Sequence, residues 1–351
     1  MDILLFVGAL ASFIFVHELG HFLAARLFKM EVEEFGFGLP PRLFTMFTFK
    51  GTAYTINLLP LGGFVRIKGE NDPDTINGFY SHNPWKRFTV LVAGPLMNII
   101  TAILLYSLAF QAVGRPDMSK VLITGIDAGT PAESAGLQAG DIFVSVNQQP
   151  IDSSQALTTV IQANKGVEIS VVVERDGALV ESSMTPRSEY PDNQGPMGVQ
   201  ISNPTIPISI FEAVPYGSVA VVDVGYNLLT LPVQVARGAI APEDARLVGF
   251  KGMYDIQREV ASIETAPGVP AIFNLLAFYA MINTSLGFLN LLPIPALDGG
   301  RILFLMPEIL FRRRLPARLE NTVNAVSFLV LLAVLIYVNL QDFINPVVLN
   351  P

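Results

Sequence analysis

Two histidines and a glutamate near the amino terminus have the spacing of a metal site. The run His17-Glu18-Leu19-Gly20-His21 has the form His-Glu-x-x-His. On a helix, positions i and i+4 lie on one face about 6 Å apart, so both imidazoles can reach one ion. Glu18 lies beside them and can take a proton from a water molecule on that ion. The pattern therefore predicts a catalytic zinc site that performs hydrolysis.

A catalytic zinc ion takes three protein ligands, so one more ligand is required. The chain has no cysteine, and its third histidine, His82, lies in an interfacial anchor of tryptophan and basic residues. A carboxylate is therefore expected. Asp298 is the candidate, because prolines and a glycine pair surround it in a sharply turning segment; the alternative is a solvated aspartate in a helix-ending loop. Ligand type alone leaves manganese, iron and cobalt open.

The elements that carry these residues are predicted to cross a membrane. Hydrophobic residues make up 51% of the 351-residue chain and charged residues 15%, against about 25% charged in soluble proteins. A span needs about 20 apolar residues. Four segments qualify and are predicted to be transmembrane helices: 3–28, 88–113, 270–297 and 321–341. The apolar segment 203–236 contains four prolines and two acids, and it is predicted to be interfacial or amphipathic.

Charge predicts how these spans are oriented. The loops after the first and third predicted spans are rich in lysine and arginine, whereas segment 114–269 has 9 basic and 18 acidic residues. Short basic loops stay in the cytoplasm, so both termini and the acidic segment are predicted to lie outside. His17 and Asp298 then share a depth toward the cytoplasmic side. The net charge of −8 argues against a nucleic-acid partner.

Three motifs resemble those of the site-2 protease family of intramembrane zinc metalloproteases, in the bacterial form that regulates sigma factors. They are HELGH at 17–21, AGPLMN at 93–98, and the segment 290–300 that ends in LDGG. The resemblance implies that His17, His21 and Asp298 bind zinc and that Glu18 activates water. It also implies that Asn98 and Asn290 lie near the substrate.

Segment 58–67 resembles the membrane-associated β-element of this family. The resemblance implies that an edge strand there, with Gly63 and Phe64, holds the substrate in an extended form by strand addition. From the residues alone, this segment is a hairpin interrupted by glycine.

Segment 119–202 resembles a single PDZ domain of the permuted bacterial type. Capture of a peptide at a sheet edge would use the backbone of residues 123–126, whereas exclusion of bulky proteins would need only the volume of the domain. A spacer without a ligand is the remaining alternative. The expected domains are 1–114 with HExxH and the β-element, 119–202 as the PDZ domain, 203–269 as the interfacial segment, and 270–351 with LDGG.

The expected fold is thus a polytopic α-helical membrane protein with four transmembrane helices, a membrane-associated β-element and one extracytoplasmic α+β PDZ domain. The expected function is zinc-dependent cleavage of transmembrane segments in the bacterial inner membrane, as in regulated intramembrane proteolysis. Anti-sigma factors and signal-peptide remnants are the candidate substrates, and membrane lipid surrounds the spans. The main alternative is a non-catalytic membrane PDZ adaptor with a structural zinc site, which would have no need of Glu18. A zincin of another lineage and a metal transporter are weaker alternatives.

Overall fold

The computed structural model describes residues 2–70, 72, 75–191, 194–241, 245–263 and 272–346. The chain divides into two compact units. The first joins Met1–Ala112 to Ser209–Pro351, and the second is Val113–Ile208.

The amino-terminal part of the first unit is two long helices joined by a β-element. Its elements are α1 (Asp2–Leu27), β1 (Val32–Phe49), β2 (Thr52–Ile67), a short 3-10 helix (Phe79–Ser81) and α2 (Pro84–Val113). Each strand pairs in more than one place. Residues 34–37 pair with 63–66 on one side and with 53–56 on the other, while the far half of β1, 42–49, pairs with 52–57. Among the described pairs, the segment 63–67 therefore has a partner on one side only and forms an edge of the sheet.

The second unit is a small antiparallel sheet with two helices. Its elements are β3 (Arg115–Pro116), β4 (Val121–Ile126), α3 (Pro131–Ser134), β5 (Ile142–Val146), β6 (Gln149–Pro150), α4 (Ser154–Ala163), β7 (Ile169–Arg175), β8 (Ala178–Met184), β9 (Val199–Ser202) and β10 (Thr205–Ile206). The main sheet has the order β8-β7-β5-β4-β9. Alternate apolar residues of β4, β5 and β7 pack with Leu157 and Ile161 of α4 to form its core. Residues 115–116 pair with 205–206, so the two ends of this unit lie side by side.

The sheet order corrects one expectation about a peptide-binding edge. Capture of a peptide at a sheet edge would have used the backbone of residues 123–126, but β4 lies inside the sheet between β5 and β9. The edge strand on that side is β9, which is the last strand of this sheet along the chain. Strand alternation identifies the buried face of β4, but it does not predict which strands lie next to it.

The carboxyl-terminal part of the first unit is helical. Its elements are α5 (Ile210–Ala236), α6 (Phe250–Ser262), α7 (Ile272–Leu291), α8 (Asp298–Phe311) and α9 (Ala317–Ile344). The segment between the last two predicted spans, expected to be a basic loop, thus contains a 14-residue helix, α8. Residues 270 and 271, at the start of the third predicted span, lie outside the described residues.

Within the described part of the chain, five helices are long and apolar enough to cross a membrane: α1, α2, α5, α7 and α9. Four of them correspond to the predicted spans, and α5 is an additional candidate in the segment expected to be interfacial. Two of the four prolines in this segment, Pro215 and Pro232, lie inside α5 and do not end it. Helices in lipid tolerate proline where local adjustments and neighbouring helices satisfy the freed carbonyl. A capping box of Ser209 and Glu212 starts the helix.

Glycines seat α5 against its neighbours. A Cβ at Gly217 would lie 2.6 Å from Ser107 Oγ in α2, and one at Gly225 would lie 2.4 Å from the Phe288 ring in α7. Small residues let helices approach closely in lipid, where packing drives association. The helix therefore lies beside α2 and α7, while Phe211 and Val222 are largely exposed, as expected for side chains that face lipid.

Polar contacts identify the two ends of the helical bundle. At one end, the buried Asp342 of α9 accepts hydrogen bonds from Arg246 and from the N–H groups of Gly249 and Gly252 at the start of α6. Gln257 of α6 donates to the carbonyl of Asp2 in α1. The start of α1 and the end of α9 therefore lie together.

The opposite end joins the starts of α2 and α9 to the end of α8. Arg314 donates to the Tyr80 carbonyl, and the Tyr80 hydroxyl donates to Glu320. Arg87, which is almost fully buried, forms an ion pair with Glu308. Burial alone would raise the pKa of Glu308, but the adjacent Arg87 and Arg314 side chains outweigh burial and lower it.

Candidate metal centre

Three side chains from two distant parts of the chain meet beside the carboxyl-terminal half of α1. The Nε2 atoms of His17 and His21 are 3.1 Å apart. Asp298 Oδ2 lies 3.1 Å from His17 Nε2 and 3.4 Å from His21 Nε2. Among the described residues, these three form the one group of histidine and acidic side chains arranged to hold a metal ion. The structure thus brings together all three ligands expected from the sequence.

The separations of these donors fit tetrahedral zinc. Zinc–nitrogen bonds of about 2.0–2.1 Å place two tetrahedral ligands about 3.3 Å apart. The three observed donor separations lie between 3.1 and 3.4 Å. Two imidazoles and one carboxylate are also a donor set found in catalytic zinc sites, which leave a fourth position for water. The residues present therefore fit a catalytic zinc ion.

Two glycines allow α1 and α2 to approach closely enough to build this site. A Cβ at Gly20 would lie 2.3 Å from the Ala93 carbonyl oxygen, and a Cβ at Gly94 would lie 2.3 Å from His21 Nε2. Real Cβ atoms do not approach that closely. The HELGH motif of α1 and the AGPLMN motif of α2 thus face each other where the two helices cross.

The other ring nitrogen of each histidine has a partner on α2. His21 Nδ1 lies 2.7 Å from the Val90 carbonyl oxygen, an acceptor that requires a hydrogen on Nδ1 and leaves Nε2 free to bind metal. His17 Nδ1 lies 3.3 Å from the side-chain amide of Asn98. Asn98, expected near the substrate, is therefore in contact with a candidate metal ligand.

Asp298 reaches the histidines because the chain turns sharply before it. It lies in the first turn of α8, after the helix cap Leu297. A Cβ at Gly299 would lie 2.1 Å from the Leu292 carbonyl oxygen, and one at Gly300 would lie 2.3 Å from the Ile294 carbonyl oxygen. Only glycines fit at these two positions, which explains the LDGG motif.

Glu18 and the candidate substrate residues border the same cavity. A cavity of about 400 Å³ is lined by the three ligands together with Glu18, Asn290 and the edge segment from Phe64 to Ile67. The Val65 N–H group on that edge faces the Glu18 carboxylate. Gly63 lies directly against α1, because a Cβ there would be 3.4 Å from Glu18 Cγ. The edge of the β-element thus runs past Glu18, the candidate general base.

Charged side chains hold the β-element in place. Glu34 in β1 is 2% exposed and accepts hydrogen bonds from Arg42 and Thr55, with Arg66 3.0 Å away. Burial alone would raise the pKa of Glu34, but these hydrogen bonds and the two arginine charges hold it below its usual range. Arg66 also lines the cavity, so this cluster connects the sheet to the site.

Two further residues at the cavity were not expected from the sequence. Arg301 of α8 forms an ion pair with Glu70 after β2, and both line the cavity with the metal ligands. Arg301 lies three residues after Asp298, so a helix beginning at Asp298 would have placed it on a similar face. No signal in the sequence pairs it with Glu70, 231 positions away.

The chain matches the model of peptidase family M50 over residues 5–334. It is 28% identical to the regulator of sigma-W protease RasP of Bacillus subtilis, over 95% of this chain and 96% of that protein. It is 30% identical to Campylobacter jejuni Cj1068, over 97% and 93% of the two chains, and 28% identical to Clostridium acetobutylicum CA_C1796, over 99% and 98%. The names of both describe zinc metalloproteases.

These matches confirm the predicted zinc metalloprotease and its resemblance to site-2 proteases, and they do not favour the alternative of a non-catalytic adaptor. The five long apolar helices agree with a membrane location. The chain therefore belongs to peptidase family M50, the site-2 protease family of zinc metalloproteases.

Proposed function

We propose that this enzyme cleaves peptide bonds within membrane-spanning segments, with His17, His21 and Asp298 as zinc ligands and Glu18 as general base. The observation that carries the proposal is the position of the three ligand atoms, all within 4.8 Å of one another, with His17 and His21 on a helix of membrane-spanning length. Ionisable groups are costly in such a helix and normally mark function.

Each side chain has a distinct part in the proposed reaction. When bound, zinc supplies a Lewis acid that polarises the scissile carbonyl and makes water more acidic. The Glu18 carboxylate accepts a proton from the attacking water and delivers it to the leaving amide nitrogen. Val90 and Asn98 orient the two imidazoles by contacting the ring nitrogens that do not face the metal.

A helical substrate hides its peptide bonds in internal hydrogen bonds, so it must unwind before cleavage. The edge at residues 63–67 is suited to hold the unwound chain by strand addition, because backbone groups on an unpaired edge offer hydrogen bonds to an added strand. This edge runs along the cavity that contains Glu18 and Asn290. Gly63 and Phe64 are the proposed first contacts.

We propose that four helices, α1, α2, α7 and α9, cross the membrane and that both termini lie outside. Gln257 of α6 contacts Asp2 at the start of α1, and the start of α6 contacts Asp342 at the end of α9. These contacts support an even number of membrane crossings between the start of α1 and the end of α9, because both ends then lie on the same side. In this arrangement α5 runs inward beside α2 and α7, and the chain returns to α6 without a net crossing. Basic residues after α1 and α8 support a cytoplasmic location for the metal end.

We further propose that the second unit is an extracytoplasmic PDZ domain that excludes substrates with bulky external domains. Its free edge β9 lies beside α4, and Leu157, Ile161 and Met197 line a groove between them of about 140 Å³. Such a groove also suits capture of an extended peptide end. Anti-sigma factors and signal-peptide remnants remain the candidate substrates.

Metal removal tests the proposed reaction. Purified enzyme in detergent is stripped with a chelator and supplied with a single-span substrate. We expect cleavage to stop and to return with one equivalent of zinc per chain. Asp298→Asn should retain less zinc than the wild type at equal protein. Cleavage that persists in the metal-free enzyme would contradict the proposal.

A further inference from the structure

A second cavity is bordered by Glu18 but by none of the three proposed metal ligands. It has a volume of about 210 Å³ and lies between one face of α1 and the β-element. Its walls are mainly apolar, formed by Phe15 of α1 and by Phe35, Phe37 and Ile56 of the sheet. Glu18 and Gly63 border it, so the cavity begins at the general base and at the edge where a substrate strand would lie.

Besides Glu18, one polar side chain lines this mainly apolar cavity among the described residues. Asn57 is 4% exposed, and its Nδ2 donates to the Gly38 carbonyl oxygen at 3.1 Å. That hydrogen bond orients the amide, because the carbonyl requires a donor and only the nitrogen can supply one. Among the described residues, Asn57 Oδ1 is buried without a hydrogen-bond donor.

A buried acceptor without a partner is costly, since leaving such a group unsatisfied costs about 1–3 kcal/mol. A water molecule would need two to four polar partners, whereas most of this cavity wall is aromatic or aliphatic. A side chain with both apolar atoms and one donor would satisfy the oxygen and fill the apolar space. Threonine, serine and cysteine have this chemistry.

We propose that this cavity is a specificity pocket for one substrate side chain next to the scissile bond, and that Asn57 selects threonine, serine or cysteine there by accepting their hydrogen. This inference rests on the proposed function, because it requires a substrate strand at the edge near Gly63. It names a preference that neither the metal site nor the family match supplies.

The preference is measured with a single-span substrate whose cut site has been mapped by mass spectrometry. Each residue flanking the cut is changed to threonine or to valine, which have the same shape and differ in the hydroxyl. With the wild-type enzyme, we expect kcat/KM for threonine to exceed that for valine about five- to tenfold at one of these positions. In Asn57→Leu, this ratio should fall to about one.

Thr55→Val is the matched control, because it removes a buried hydroxyl from the same strand that bonds Glu34 and does not line the cavity. It should keep the wild-type ratio. Ala11→Leu is a second variant that leaves Asn57 intact and narrows the cavity from α1. It should lower the cleavage of threonine substrates relative to alanine substrates, and it keeps the test decisive if Asn57→Leu does not fold.

Failure of the inference and failure of the proposed function give different results. If the wild-type enzyme cuts no membrane substrate with zinc, the proposed function fails. If the wild type cuts with zinc but has equal ratios at every flanking position, or if Asn57→Leu keeps the threonine preference, the pocket assignment is overturned.

Discussion

The two ring nitrogens of His17 have separate tasks. Nε2 faces Asp298 and His21, and Nδ1 faces the Asn98 amide. When Nε2 binds metal, Nδ1 carries the hydrogen and needs an acceptor. A half turn of the Asn98 amide presents its oxygen, which is otherwise buried without a donor among the described residues. Asn98 is therefore suited to orient a ligand, in addition to the substrate role that the family resemblance implies.

Asn98→Ala should lower zinc affinity about ten- to a hundredfold, the usual cost of losing a partner that orients a metal-binding histidine. Competition with a fluorescent chelator measures this affinity without reference to cleavage. Asn98→Asp keeps an acceptor for Nδ1 and should recover most of the affinity. Unchanged zinc binding in Asn98→Ala, with loss of cleavage, would assign Asn98 to the substrate instead.

Residues that act within one helical turn could be predicted from the sequence, and residues that act across the fold could not. His17, Glu18 and His21 are revealed by helical periodicity alone. Asp298 could be found only by excluding the other scarce ligand types, since it lies 277 positions after His21. Asn57 and Glu70 carry no local pattern, because their significance depends on the cavities that the fold places beside them.

The crossing of α1 and α2 is the element on which the metal site depends. Gly20→Ala should force the two helices apart, because its Cβ would lie 2.3 Å from the Ala93 carbonyl oxygen. Overpacking of this kind costs about 1–3 kcal/mol, and displacement of the adjacent His21 should also reduce zinc retention. Thermal unfolding and zinc content of the purified variant measure the two effects.

Gly8→Ala is the matched control on the same helix. Nothing lies within 4 Å of a Cβ at Gly8, so this change should leave zinc content as it is and leave stability equal or slightly higher. If both variants behave alike, close approach at Gly20 is not what positions the site.

At the scale of elements, apolar patterns predicted four long helices well, but they do not show which elements pack against these helices. The bounds of α2 and α9 lie within a few residues of the predicted spans. The continuous helix α5 was not expected, because the cost of an internal proline depends on neighbours that the sequence does not display. The double pairing of β1 and β2 likewise depends on register between segments, which alternation within one strand cannot specify.

The path of the whole chain through the bilayer is open to a clean test, because the protein contains no cysteine. Single cysteines replace the exposed Ser188, Ser262 and Arg313 and are labelled with a reagent that does not cross membranes. With four crossings, Ser188→Cys and Ser262→Cys should react from the same, external side, and Arg313→Cys should react only after the membrane is opened. Labelling of Ser188→Cys and Ser262→Cys from opposite sides would show that α5 makes a net crossing and would contradict this topology.

The central claim is that Glu18 acts as the base for hydrolysis inside the bilayer. Its most direct test is mass spectrometry of the products of a single-span substrate, with the purified enzyme and substrate reconstituted together in liposomes. The wild type and Glu31→Gln, which alters an exposed glutamate paired with Lys68, should cut within the apolar segment. Glu18→Gln should retain zinc and cut about 10²- to 10⁴-fold more slowly. Near wild-type cleavage by Glu18→Gln, or cuts confined to the soluble flanks of the substrate, would contradict the account.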